Sequence, residues 1–236
     1  SFPTEPVELI NYTLPQVLAE LGFVVVTLDG MSTPFRSKAF HDFAYGRMED
    51  AGGLEDHLAG LRQLAQRHPY MDLDRVGITG HSGGGFASTR AILAYPDFYK
   101  VAVSSAGNHD QLGYQSYWGE KYQGLPKAAD DIEATYGAQI NARLAGNLKG
   151  KLLLMAGDMD DNVHPALTLQ VANALIAANK DFDLLLLPNR NHQTSFRDPY
   201  VLRRLWDYFV RHLLGAEPPE GYRIRGPEGA SGSPAA

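Results

Sequence analysis

No cysteine occurs among the 236 residues. That removes disulfides, thiolate metal sites and a cysteine nucleophile together, and leaves the compartment open. Positive charge is also short, with 21 Lys and Arg against 27 Asp and Glu and a net charge of −6. At a pI near 5.7 the surface on average repels nucleic acid and anionic membrane, so neither is expected as a partner. No apolar run approaches the about 18 residues a membrane span needs, and no signal peptide is visible. Internal repeats are absent too. The 44% of hydrophobic residues and the mean hydropathy of −0.25 fit one globular domain with a real core.

Against that plain background one stretch stands out. Gly80-His81-Ser82-Gly83-Gly84-Gly85 follows the apolar run Val76-Gly77-Ile78-Thr79 and precedes a helical pattern from Gly84 to Tyr95. A serine on a sharp strand-to-helix turn needs neighbours with almost no side chain, so that the backbone folds tightly and substrate can approach. Gly80 and Gly84 meet that demand, with Gly83 and Gly85 adding slack. By itself a G-x-S-x-G is a weak signal, because glycine and serine are common in loops.

A serine hydroxyl is a poor nucleophile at neutral pH. It needs an imidazole to take its proton and a carboxylate to fix that imidazole's tautomer. In an α/β-hydrolase the acid and then the base follow the serine, each on a loop past a later strand. Here the strand pattern Lys151 to Ala156 leads into Gly157-Asp158-Met159-Asp160-Asp161-Asn162-Val163-His164-Pro165, and the pattern Phe182 to Leu187 leads into Pro188-Asn189-Arg190-Asn191-His192-Gln193. Asp158, Asp160 and Asp161 compete for the acid, and spacing does not separate them. Of the eight histidines only His192 lies between the last strand and the final helix. His41, His57, His68, His81, His109, His164 and His212 read as surface or packing residues, although His164 shares the acid loop.

The serine motif, the acid loop and Asn191-His192 together resemble the catalytic domain of the prolyl oligopeptidase family, in its dipeptidyl peptidase IV branch. Asp74-Arg75-Val76-Gly77-Ile78 resembles the lead into that family's nucleophile strand. The likeness runs from about residue 10 to 215, and the acid loop is its most specific piece. It implies an α/β-hydrolase fold and a serine peptidase whose acyl-enzyme forms on Ser82, with Asp160 as acid and His192 as base. It further implies the Gly83 N–H as an oxyanion donor and Tyr114, Trp118, Asn162 and Val163 as substrate-binding residues. No cofactor or metal is called for. The substrate would be a peptide; a carboxylesterase of the same fold, or a catalytically impaired interaction domain, are the alternatives. A homodimer through the hydrolase domain and its last helix is a further implication, as is a periplasmic or secreted location if the bacterial reading holds.

Four positions depart from the branch. Gly83 stands where Tyr is usual, Asn108 where an apolar pocket residue is common, Trp118 for a Tyr, and Met31 where Arg is frequent. A pocket without one aromatic wall is expected to accept side chains other than proline, since pocket shape discriminates apolar groups by only about 1–3 kcal/mol per methylene. In the resembled family a second oxyanion donor, a Tyr hydroxyl, comes from a loop upstream of the helix at 11–21, and a β-propeller precedes the hydrolase. The expectation is therefore a fragment of a longer enzyme, lacking N-terminal strands, with an open sheet edge.

The coarse layout alternates strand and helix, as a mostly parallel sheet with helices on both faces requires. Strands are expected at 23–28, 75–80, 100–105, 151–156 and 183–187, those at 23–28, 151–156 and 183–187 buried. Helices are expected at Leu14 to Leu21, Leu54 to Gln66, Gly84 to Tyr95, Pro165 to Ala178 and Pro199 to Leu214, with one or two short ones between Asp130 and Asn147. An aromatic loop runs from Asn108 to Pro126. In it Tyr117 and Tyr122 read as half-buried packing residues. Residues 1–216 form the catalytic domain, and 217–236 a Pro- and Gly-rich tail, disordered past about 224.

Overall fold

The computed structural model describes residues 13–126, 131–193 and 198–224. Its centre is a four-stranded sheet, β1 (Val76–His81), β2 (Tyr99–Ser105), β3 (Lys151–Gly157) and β4 (Asp183–Leu187), in the order β1-β2-β3-β4 with every pair parallel. Parallel strands need crossovers. These are supplied by α3 (Gly83–Ala94) after β1 and α5 (Ala166–Ala177) after β3, with α4 (Ser116–Gln123) and short helical turns between Ile132 and Asn147 after β2. Helices α1 (Thr13–Glu20) and α2 (Leu54–Arg67), with short helical turns between Lys38 and Asp50, precede the sheet, and α6 (Pro199–Phe209) closes it, running into a widened turn that ends at Leu214.

Period-two alternation divides the strands between two cores. Ala102, Leu152 and Leu154 pack with Phe86 and Ile92 of α3 and Val171 and Leu175 of α5. Val101, Val103, Leu153 and Met155 pack on the other face with Leu18 of α1 and Leu205 and Phe209 of α6. Helices on both faces make this the expected three-layer α/β architecture. The start of α6 is written locally: Asp198 caps it by accepting from the Tyr200 N–H, Pro199 fills the first turn, and Val201, Leu205, Tyr208 and Phe209 bury one stripe.

Three expectations need correction. Residues 23–28 form no strand, and none of them is buried. They flank β1 across an apolar cleft of about 890 Å³ that also takes in Trp206 and Phe209. β-branched residues favour extended backbone, but a strand exists only where a ladder partner lies about 4.8 Å away, and residues 23–28 pair with no strand of the described residues. Among the described residues the outer edge of β1 is therefore unpaired. Among the described residues β4 is an edge strand rather than a buried one, with Leu184 39% and Leu186 43% exposed. The aromatic loop contains the helix α4, and Tyr117 on it is exposed rather than half-buried. Residues 215–224 carry no helix or strand, and the stretch expected to be disordered lies outside the described residues.

Candidate active site

The register brings the C-terminal ends of all four strands to one rim: His81 lies opposite Ser105, Ser105 opposite Met155, and Gly157 opposite Leu187. Everything that leaves the sheet at that rim can meet. Ser82 leaves β1 with φ 59° and ψ −122°, a conformation an L-residue adopts only under strain. Two hydrogen bonds hold it there, from its N–H to the Ser105 carbonyl at 2.8 Å and from the Phe86 N–H to its own carbonyl at 3.0 Å. Gly80 and Gly85 are both tight. A Cβ at Gly80 would stand 2.4 Å from the Gly84 carbonyl oxygen, and one at Gly85 would stand 2.3 Å from that of Ser105. Gly85 thus does more than add slack, because it lets α3 lie against the end of β2. Gly83, the first residue of α3, has no intrahelical acceptor for its N–H.

The loop after β3 carries the three acids, and the fold treats them differently. Asp158 and Asp161 are exposed, whereas Asp160 is buried. One oxygen of Asp160 accepts the N–H groups of Asn162 (3.0 Å) and Val163 (2.8 Å); the other lies 2.7 Å from His192 Nδ1. Burial acts to raise its pKa, but the His192 hydrogen bond, those backbone donors and the nearby imidazole outweigh it. Asp160 is held below the usual carboxylate range. With Nδ1 engaged by the carboxylate, the imidazole keeps Nε2 as its basic nitrogen.

The acid and histidine loops are stitched together. Met159 N–H donates to the Arg190 carbonyl, and Asp158 N–H to that of Leu187, both at 3.1 Å. Gly157 permits the crossing, since a Cβ there would lie 2.1 Å from the Arg190 carbonyl oxygen. Arg190 is itself tied to Asp198, the cap of α6, at 2.7 Å. His192 is buried, and its ring packs 4.5 Å from that of His81, the residue before the serine. The backbone therefore delivers Ser82, Asp160 and His192 to the same rim, the last two in direct contact.

Beside them Tyr114 and Trp118 meet edge to face at 5.7 Å, and Trp118 leans on Tyr122 at 4.5 Å. Tyr114 donates its hydroxyl to Asn162 Oδ1 at 2.7 Å, which links the aromatic segment to the acid loop. Burial, with Tyr117 and Asp160 adding, pushes the Tyr114 phenol up to about 12, so it stays a neutral donor. Val163 is fully buried behind the loop. Asn108 and His109 are buried at the end of β2, the first bonded to Gln111 and the second to Asn141. Burial drives His109 down to about 3, and it serves packing, as expected. No group of metal-ligating side chains is found among the described residues. No helix among them is long and apolar enough to cross a membrane.

A model of the prolyl oligopeptidase family matches residues 11–216. Human dipeptidyl peptidase 8 is 33% identical over 208 residues, covering 87% of this chain and 22% of that protein. Among solved structures, Porphyromonas gingivalis dipeptidyl peptidase 4 is 26% identical with a TM-score of 0.70, covering 78% of this chain and 26% of that one. A putative dipeptidyl aminopeptidase IV from Bacteroides ovatus is 28% identical with a TM-score of 0.69, over 79% of this chain and 25% of that one. The chain spans about a fifth to a quarter of the length of these relatives.

Proposed function

Since this chain belongs to the prolyl oligopeptidase family, we propose that it is the catalytic domain of a serine peptidase of dipeptidyl-peptidase type. The observation that carries the reading is the buried Asp160–His192 pair at 2.7 Å, set at the rim where the strained Ser82 leaves β1. In this mechanism Ser82 Oγ attacks the scissile carbonyl carbon while His192 Nε2 takes its proton. Asp160 supports the resulting imidazolium. The Gly83 N–H donates to the oxyanion, a preorganised donor at a helix start. The C–N bond then breaks, the leaving amine takes the proton from His192, and water activated by the same imidazole frees the acyl group and restores Ser82.

Tyr114 and Trp118 wall the pocket for the residue before the cleaved bond, and Asn162, steadied by the Tyr114 hydroxyl, faces substrate polar groups. Val163 backs that loop from beneath. Pairing of two copies through α6 belongs to the same proposal and rests on the family likeness alone. The test is turnover of dipeptidyl nitroanilides against nitrophenyl esters by the full polypeptide. Anilide hydrolysis is the expected result; turnover of esters with none of the anilides would replace the peptidase reading with an esterase one.

A further inference from the structure

His81 closes β1, and its imidazole is held on two sides. Nδ1 lies 3.1 Å from Ser105 Oγ at the end of β2, and the ring sits 4.5 Å from that of His192 with the planes inclined by 42°. Ser105 does double duty, because its carbonyl also accepts the Ser82 N–H at 2.8 Å. The nucleophile's backbone and the ring beside the base therefore share one anchor.

The geometry of His192 explains why such a neighbour matters. Its bond to Asp160 engages the imidazole at Nδ1, and the ring packs against that of His81. A tilt of the ring plane would move Nε2 relative to the serine. We infer that His81 is a positioning residue for His192: its imidazole, tethered to Ser105, backs the ring and sets the plane in which Nε2 meets Ser82. The inference rests on the reading of His192 as the general base. Burial, and then the nearness of His192, push His81 down to about 4. At neutral pH it is an uncharged plate that adds no positive charge beside the imidazolium formed in turnover.

The test compares His81→Ala, His81→Phe, Ser105→Ala and Ser82→Ala in the full chain, with kcat and KM measured on one anilide and folding followed by thermal unfolding. Because misplacement of reacting groups by about 1 Å can cost about 10²-fold, His81→Ala is expected to lower kcat about 10- to 100-fold with KM within about two-fold of wild type. His81→Phe, which keeps a flat ring against His192, recovers most of that loss. Ser105→Ala, which cuts only the tether, lowers kcat by about a few-fold and serves if His81→Ala does not fold. Wild-type kcat in His81→Ala or, failing that variant, in Ser105→Ala would overturn the inference. So would a folded His81→Phe no better than His81→Ala. Full activity in Ser82→Ala would instead sink the reading of the site beneath it.

Discussion

Ser82→Ala is expected to lower the rate of anilide hydrolysis by about 10⁴- to 10⁶-fold, while substrate still binds, since the oxyanion donor and the pocket remain. The variant keeps a Cβ at φ 59° and therefore keeps the backbone strain. Ser82→Gly is expected to be equally inactive but more stable. Relief of a strained φ/ψ is worth about 1–3 kcal/mol and glycine's extra unfolded-state entropy costs about 0.5–1, leaving a net gain of about 1 kcal/mol. Initial rates and urea unfolding of the two variants separate chemistry from strain. Equal stability of the alanine and glycine variants would mean that the turn is not strained.

The second large effect is Asp160→Asn, with a fall in kcat of about 10⁴-fold and little change in KM. The amide can still accept the Asn162 and Val163 N–H groups through its oxygen, so the loop is expected to hold its shape. Its NH₂ group would then face His192 Nδ1 as a donor. That selects the tautomer with the proton on Nε2, which cannot accept from the serine. Stability should respond to pH as well. The Asp160 pKa is depressed on folding, so its charge contributes stability above the unfolded carboxylate pKa, and that contribution is lost as pH falls through the folded value. The gap in unfolding free energy between wild type and Asp160→Asn should thus be fullest above about pH 5 and shrink below about pH 4. A gap independent of pH would detach the carboxylate from the stability of the loop.

The site was more legible in the sequence than its surroundings, for a local reason. A strand run followed by a polar loop marks a sheet rim, so the positions of Ser82, the acid loop and the His192 loop could be read from consecutive residues. Burial of Asp160 alone among three acids could not, because it depends on His192 arriving from 32 residues away. Residues 23–28 failed as a strand because pairing is a property of two segments, and only one is written there. The run Leu184 to Leu187 gives apolarity without saying that, among the described residues, β4 has a neighbour on one side only. Helix α4 is not legible because Tyr, Trp and a mid-helix Gly119 are weak helix formers, and packing of Trp118 against Tyr114, and against Tyr122 one turn on, overrides that preference. His81 read as packing, and so it is, but only the fold reveals that it packs on His192.

The proposed chemistry depends on activation of the hydroxyl at 82 by the imidazole at 192. Its most direct test is the site and rate of covalent modification by a fluorophosphonate, read by mass spectrometry in the full polypeptide with and without His192→Ala. A single adduct on Ser82 is expected, and its formation should collapse when His192 is removed. An adduct on another serine, or Ser82 modified just as fast without His192, would contradict that activation.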